Sequence, residues 1–269
     1  MSTSPAATSP RPGRHKYVPP QHGAWAFLAL PLVLAATVAP PTWLSLALAV
    51  TWITAYPLSY AALSLARSRR PQRFRRPFAV WLAVFLPGAA VLLVARPWLL
   101  WIGLGYLLLF RISVRYARRN AERAMGNGLV FVVQCSAMVV VAWAVAMDSG
   151  EWRLGARFSG FAVPADVWVL AAVCALVLAG STLHVKSLIR ERRDARYARW
   201  SRAVALASLA LSVGLAAVWG LPSGLLLVPG FVALALRAFL VGRRPLRPGV
   251  IGMIELACFV VVAAGACLA

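Results

Sequence analysis

The stretch that decides the fold is residues 165–202, ADVWVLAAVCALVLAGSTLHV followed directly by KSLIRERRDARYARWSR. Its first part is an apolar run of 21 residues. A helix needs about 20 residues at ~1.5 Å each to cross the ~30 Å hydrocarbon core of a bilayer. Its second part carries seven Lys and Arg residues within 17 positions. Because the same alternation of apolar and basic segments recurs along the chain, we predict helices that cross a membrane repeatedly.

Nine apolar segments can be interpreted as membrane spans, at 24–39, 42–66, 77–95, 97–110, 128–147, 165–185, 203–219, 221–240 and 249–268. Hydrophobic residues make up 61% of the chain and charged residues 13%, whereas about a quarter of a soluble domain is charged. The runs are longer than the alternating strands of a membrane barrel, and backbone in lipid must satisfy its own hydrogen bonds. The sequence therefore predicts an all-α polytopic bundle of about nine transmembrane helices.

The distribution of Lys and Arg predicts which way the bundle faces. Of the 28 such residues, nine spans put 25 on the side of the N-terminus and leave Arg96, Arg153 and Arg157 on the other. Loops rich in Lys and Arg stay cytoplasmic, so we predict a cytoplasmic N-terminus and a C-terminus outside. The first and fourth segments are short, and the first contains Pro31. Eight spans plus one re-entrant segment is therefore the alternative.

The net charge of +21 and the four cysteines indicate which partners to expect. Because the charge is divided among short loops, we expect contact with the lipid bilayer and its anionic headgroups, and not with nucleic acid. The cysteines lie in apolar segments without CxxC spacing, so neither disulfides nor zinc are indicated. Residues 1–18 are expected to form a disordered cytoplasmic tail, and residues 19–269 a single membrane domain.

The first candidate site lies where the first span begins. Gln21 and His22 follow Pro19 and Pro20 directly. The free N–H groups and the dipole of a helix start attract anions, and His22 could add a proton-transfer group. The alternative is a helix cap, with Trp25 at the membrane interface.

The second candidate site leads into the fifth span. Asn127 and Gln134 lie seven residues apart, so they share one helix face and could line a cavity. Glu122, the acid of a loop with five arginines, is expected to be ion-paired. The alternative for the amides is hydrogen bonding between helices.

The third candidate site lies at the end of the sixth span. His184 and Lys186 precede Arg190, which is one turn from Lys186. Glu191 and Asp194 are three residues apart, so on one helix face they could hold Mg²⁺ through its waters. Neighbouring arginines favour salt bridges instead, and we predict no metal site.

Glu255 is a single acid inside the last span. A carboxyl group there must be protonated, paired or facing water, and Arg237, near the end of the eighth span, is the nearest basic candidate for a partner. Tyr56 and Tyr60, one turn apart in the second span, are expected to line the same interior. The chain contains no GxSxG, P-loop, HExxH or CxxC motif, so it indicates neither a nucleophile nor a cofactor.

Three of these stretches resemble the bacterial YwiC-like family of multi-pass membrane proteins. They are KYVPPQHGAWA at 16–26, NAER at 120–123 with Asn127, and HVKSLIRER at 184–192. The resemblance implies a protein of the bacterial cytoplasmic (inner) membrane, without implying a particular activity.

In its topology the chain also resembles the UbiA-type intramembrane prenyltransferases. These have nine helices, a cytoplasmic N-terminus and active-site loops after helices two and six, with aspartate-rich motifs that hold Mg²⁺ and a prenyl diphosphate. Here the loop at 64–77 contains six arginines and no acid, and the loop after the sixth span keeps Glu191 and Asp194. Arginines could bind a diphosphate directly.

Three functional hypotheses remain open. The first is a polar pocket, open to the cytoplasm and formed by spans one, two, five, six and nine, which binds an anionic amphiphile such as a prenyl or phospholipid headgroup. The second is a small-anion transporter or carrier in which Glu255 and His184 handle protons. The third is a non-catalytic membrane scaffold. Whether the protein is an enzyme is left undecided by the sequence.

Overall fold

Nine α-helices make up the computed structural model, which describes residues 17–19, 23–148, 162–241 and 246–269. They are α1 (Gly23–Val38), α2 (Trp43–Arg67), α3 (Gln72–Ala95), α4 (Leu99–Arg118), α5 (Met125–Met147), α6 (Ala165–Ile189), α7 (Ala195–Trp219), α8 (Val228–Leu240) and α9 (Pro248–Leu268). A short 3₁₀ helix, Ser223–Leu227, precedes α8. These residues contain no β-strand, and the prediction of an all-α bundle is confirmed.

Successive helices run in opposite directions, so their connections alternate between two ends of the bundle. At one end an ion pair between Arg67 and Glu122 joins the end of α2 to the α4–α5 connection. At the other, Nε of Arg96 lies 3.1 Å from Oδ2 of Asp148 and joins the α3–α4 connection to the end of α5. We call the first the basic end, because the connections after α2, α4, α6 and α8 carry the Lys and Arg clusters. We call the second the opposite end.

The short helix α1 lies in the middle of the bundle. It packs against α5, α6 and α9, and its Leu28, Leu30 and Leu34 are fully buried. The helices α3 and α4 are peripheral, and their apolar side chains point outward as lipid-facing side chains do. Eight of the described helices are long and apolar enough to cross a membrane, and α1 is the shorter ninth.

The N-terminus of α1 is recessed from the basic end. The ring of Trp25 stands 5.4 Å from the ring of Tyr56, and Nε1 of Trp52 donates to the carbonyl of Leu28 at 3.1 Å. These contacts fix the antiparallel register of α1 and α2, and they place Gly23 beside about residue 58 of α2. From there α2 continues toward the basic end for about nine more residues, or ~13 Å. The start of α1 therefore lies deeper in the bundle than the end of α2.

Several helices extend beyond the apolar spans predicted from the sequence. The helix α3 begins at Gln72 instead of 77, α4 continues to Arg118 instead of 110, and α7 begins at Ala195 instead of 203. The physical reason is that helical hydrogen bonds do not require apolar side chains, and long arginine side chains reach the interface from the helix ends. The α4 helix ends at Arg118, and Asn120 follows with a φ of 54°, the left-handed conformation that Asn tolerates after a helix.

The termini of the described chain contact neighbouring helices. Nε1 of Trp81 donates to the carbonyl of Tyr17 at 2.7 Å, and Nε1 of Trp219 to the carbonyl of Ala269 at 3.4 Å. Residues 1–16 of the predicted tail lie outside the described residues. The division into a tail at 1–18 and one domain at 19–269 stays a prediction.

Candidate functional site

The α4–α5 connection positions the second group of predicted residues. Glu122 forms an ion pair with Arg67, so the prediction that this acid is ion-paired is confirmed. Its partner comes from the end of α2 and not from the arginines of its own loop. The side-chain amide Nδ2 of Asn127 donates to the backbone carbonyl of Glu122 at 2.8 Å. Oδ1 of Asn127 is buried without a partner among the described residues.

Two glycines allow other elements to approach Asn127 closely. A Cβ on Gly128 would lie 2.8 Å from Cγ2 of Thr182, and a Cβ on Gly126 would collide with the hydroxyl of Tyr116. Glycine is therefore required at both positions for α5 to pack this tightly against α6 and α4. The contact with Thr182 places Asn127 at the same depth in the bundle as the segment of α6 that contains His184.

The end of α6 forms a basic groove with the α6–α7 connection. Residues 189–195 line a groove of about 800 Å³. Nζ of Lys186 lies 3.9 Å from Oε1 of Glu191 and 5.1 Å from the ring centre of Tyr197. Partial burial and the nearby Arg123 lower the pKa of Arg190 below its ordinary value. Arg123 belongs to the α4–α5 connection, so the positive charges of two connections are near enough to each other to interact electrostatically.

The expectation that Glu191 and Asp194 share a helix face is wrong. The helix α6 ends at Ile189, and α7 begins at Ala195. Glu191 pairs with Lys186, whereas Oδ1 of Asp194 accepts the backbone N–H of Arg196 at 2.8 Å and so caps the start of α7. The residues between the two helices form a turn because Asp hydrogen-bonds most favourably with the free N–H groups of a helix start.

A buried polar network lies deeper in the bundle. Nη1 of Arg237 donates both to Glu255 and, at 3.2 Å, to Oγ of Ser181. The prediction that Arg237 is the partner of Glu255 is confirmed. Nδ1 of His184 lies 3.0 Å from Oγ of Ser201. The network therefore ties α6, α7, α8 and α9 together with charges that are almost fully buried.

His184 and Lys186 point in different directions. Two residues apart on a helix correspond to ~200° of rotation. His184 is 2% exposed and faces Ser201, whereas Lys186 turns toward Glu191 and Tyr197 at the basic end. These two candidates therefore take part in separate sets of contacts.

The remaining candidates occupy different depths. Tyr56 packs against Trp25 and against Phe131, whose ring centre is 6.1 Å away. The backbone carbonyl of Gln134 accepts a hydrogen bond from the Tyr106 hydroxyl at 2.7 Å, one turn beyond Phe131. Gln21 and His22 lie outside the described residues. The predicted convergence of His22, Asn127, Gln134, His184 and Lys186 on one pocket stays a prediction.

Comparison with known proteins identifies the family. A family model described as YwiC-like protein matches residues 18–143. The chain is similar to the YwiC-like family over these residues. The relative named "Uncharacterized protein YwiC" from Bacillus subtilis (strain 168) is 29% identical over 249 residues, which cover 90% of this chain and 94% of the relative. An uncharacterized protein from Haemophilus influenzae (strain ATCC 51907 / DSM 11121 / KW20 / Rd) is 23% identical over 237 residues, 88% of this chain and 91% of that protein. No solved structure is significantly similar to the chain.

The family match extends from the segment before α1 through most of α5. It includes Asn127 and ends before His184. The family match and the apolar helices together show that this YwiC-like protein is a multi-pass membrane protein of a bacterial family.

Several polar contacts of this YwiC-like protein were missed by reasoning from the sequence. Ser181 and Ser201 join the buried network, although an isolated serine in a span carries no signal of its own. At the opposite end Nε1 of Trp98 donates to Oδ2 of Asp148 at 2.9 Å, beside Arg96. The position of Asp148 directly after an apolar run was the available signal for this second cluster.

Proposed function

We propose that this YwiC-like protein binds the headgroup of an anionic amphiphile, a prenyl or phospholipid, in a polar pocket at its basic end. The pocket faces the cytoplasm, and the bilayer is the bacterial inner membrane. The observation that carries the proposal is the groove of about 800 Å³ at 189–195, which is lined by Arg190, Arg192 and Arg193. Several arginines that line one groove are stabilised by an anion between them.

The small number of acids at the basic end supports this proposal. Each of the four acids on this side already has a partner among the described residues: Glu122 pairs with Arg67, Glu191 with Lys186, Glu255 with Arg237, and Asp194 accepts the Arg196 N–H. These acids face 25 Lys and Arg residues. Most of the positive charge therefore has no protein counter-ion, which favours a negatively charged ligand.

The experiment compares two arginines in different surroundings. Purified Arg190→Gln and Arg70→Gln proteins are titrated with phosphatidylglycerol and with farnesyl diphosphate, and binding is read by native mass spectrometry. Both arginines are exposed, but Arg190 lines the groove, whereas Arg70 belongs to the α2–α3 connection and does not line it. A charge-assisted contact contributes ~1.5–3 kcal/mol, so Arg190→Gln should weaken binding about tenfold or more at ~1.4 kcal/mol per decade.

The control distinguishes a pocket from diffuse attraction. An exposed charge such as Arg70 is screened by salt and should change the affinity less than about twofold at physiological ionic strength. Equal losses in both variants would indicate non-specific binding to a basic surface. That result would contradict the pocket and favour the scaffold hypothesis.

A further inference from the structure

The outward face of α4 changes from apolar to basic part-way along the helix. Six exposed side chains follow one another on this face at intervals of three or four residues: Leu100, Leu104, Leu107, Arg111, Arg115 and Arg118. Residues three and four apart lie on the same side of a helix, so the six form a single row, which we call the α4 stripe. Its half nearer the opposite end is leucine, and its half nearer the basic end is arginine.

The arginines of the α4 stripe have no acid as a partner within the protein. None of the ion pairs among the described residues involves them. Every acid at the basic end already contacts another group, so a second copy of the chain, packed in the same orientation, would offer these arginines no available carboxylate. Like charges would instead face each other, so the stripe does not fit a symmetric contact between copies.

Contacts with α2 show how deep the first of these arginines lies. The ring centre of Trp52 in α2 is 5.8 Å from that of Tyr106 in α4, and Arg67 pairs with Glu122 where the two helices end. The helices run in the same direction, and these contacts join residues 54 and 55 positions apart in the chain. Arg111 therefore lies about ten residues, or ~15 Å, below the level of Arg67.

The apolar part of α4 is too short to cross the hydrocarbon core. From Leu99, where the helix begins, to Phe110 the rise is only ~18 Å, whereas the core is ~30 Å thick. A charge exposed to lipid is costly, and a short apolar span is accommodated when the bilayer thins beside it and charged side chains reach the headgroups. The headgroups at the basic end must therefore come closer to the middle of the bilayer beside α4 than beside α2.

The order of leucine and arginine along the stripe matches a phospholipid of the leaflet at the basic end. Such a lipid has its phosphate toward the basic end and its acyl chains toward the middle of the bilayer. A guanidinium group binds phosphate through parallel hydrogen bonds, and Arg111 and Arg115 are one turn apart, so both can contact one phosphate. An anionic lipid has no cation of its own beside the phosphate, so the arginines favour it over a zwitterionic lipid.

We propose that the α4 stripe binds an anionic phospholipid whose phosphate is held by Arg111 and Arg115, below the plane of the surrounding headgroups. The acyl chains lie along the leucine half of the stripe. The stripe shares no residue with the groove at 189–195, so this second lipid site goes beyond the proposed function.

The first measurement removes the two charges and keeps the helix. Purified wild-type protein and the double variant Arg111→Leu with Arg115→Leu are titrated with phosphatidylglycerol and with phosphatidylcholine of the same chains, and bound lipid is read by native mass spectrometry. Leucine suits a lipid-facing helix position, so the variant should fold. We expect the affinity for phosphatidylglycerol to fall about tenfold or more at this site, with phosphatidylcholine binding unchanged.

The matched control is the double variant Arg69→Leu with Arg73→Leu. These two arginines are also exposed and four residues apart, but they lie at the start of α3, at the basic end. Salt screens exposed charges there, so the affinity for phosphatidylglycerol should change less than about twofold. Equal losses in the two double variants, or no loss in the α4 variant, would overturn the inference.

A second measurement tests the depth of the phosphate. Both proteins are reconstituted in bilayers from dimyristoyl to dierucoyl phosphatidylcholine with a constant fraction of phosphatidylglycerol, and thermal unfolding is followed. Replacing the arginines lengthens the apolar face from ~18 Å to ~28 Å. The bilayer of greatest stability should therefore be thicker for the variant than for the wild type. The same optimum for both proteins would contradict a phosphate held below the headgroup plane.

A third variant separates this site from the groove. Arg190→Gln should weaken phosphatidylglycerol binding by the same factor in the wild type and in the α4 double variant, because the two sites share no residue. If only Arg190→Gln had an effect, the α4 site would be rejected and the proposed function would stand. If only the α4 double variant had an effect, the proposed function alone would be rejected.

Discussion

At the scale of single residues, the Arg237–Glu255 ion pair is the feature of the molecule that costs the most free energy to bury. Both side chains are almost completely buried in the membrane domain. The desolvation of two charges is costly, and their mutual attraction together with the contact to Ser181 offsets that cost. Removing one partner leaves an uncompensated charge, whereas removing both leaves an apolar contact.

We expect Arg237→Met to destabilise the protein strongly and Arg237→Met with Glu255→Leu to restore most of the loss. Breaking a buried pair costs about 3–5 kcal/mol, while replacing both members with apolar residues is often near neutral. Thermal unfolding of the purified single and double variants in one detergent measures these changes in stability. If the double variant were as unstable as the single one, the pair would not be the source of the effect.

At the scale of secondary-structure elements, close packing between α5 and α6 aligns Asn127 with the deeper network. Gly128 makes this approach possible because its missing Cβ leaves room for Cγ2 of Thr182. In membranes, small residues at helix interfaces let backbones approach and gain van der Waals contacts. The close approach at Gly128 therefore fixes how α5 and α6 pack at this depth.

We expect Gly128→Ala to destabilise the protein by about 1–3 kcal/mol through overpacking. Adding Thr182→Ala should remove the collision and recover most of that loss. Gly103→Ala is the control, since its Cβ would meet no atom, and it should be neutral or slightly stabilising because alanine favours helix. Chemical unfolding, followed by tryptophan fluorescence, gives the free energy of unfolding of Gly128→Ala, of the double variant and of Gly103→Ala. A loss in Gly103→Ala equal to that in Gly128→Ala would contradict the packing argument.

At the scale of the whole molecule, the two ends differ in charge. With nine spans the basic end carries 25 Lys and Arg residues against four acids, whereas the opposite end carries three of each. The latter are Arg96, Arg153, Arg157, Asp148, Glu151 and Asp166. The net charge of the protein therefore lies on one face, which is the pattern that orients membrane proteins.

We expect a reporter that is active only in the cytoplasm to function when inserted near residue 72 or residue 194. The same reporter should be inactive when fused after Ala269, because an odd number of crossings places the C-terminus outside. Activity of the C-terminal fusion would contradict nine crossings and favour eight. Because seven helices, α3 to α9, follow residue 72, one of these helices would then be the one that does not cross.

The sequence by itself determined the helices, their alternation and the charge of each end. Hydropathy and loop charge are local properties, and lipid requires each span to satisfy its own backbone hydrogen bonds. The partner of Glu255 was also predictable, because Arg237 is the basic residue that lies at the end of the preceding span instead of in the loop. The wrong expectation that Glu191 and Asp194 share a helix face also had a local cause, because a single capping side chain decides where a helix ends or begins.

Only the tertiary structure decided which distant residues meet. Glu122 pairs with Arg67, 55 positions away, and not with an arginine of its own loop. Phe27 packs against both Phe131 and Phe259, which belong to helices far from α1 along the chain. Hydropathy says that a helix is buried but not which face meets which neighbour, since side-chain packing between helices sets that choice.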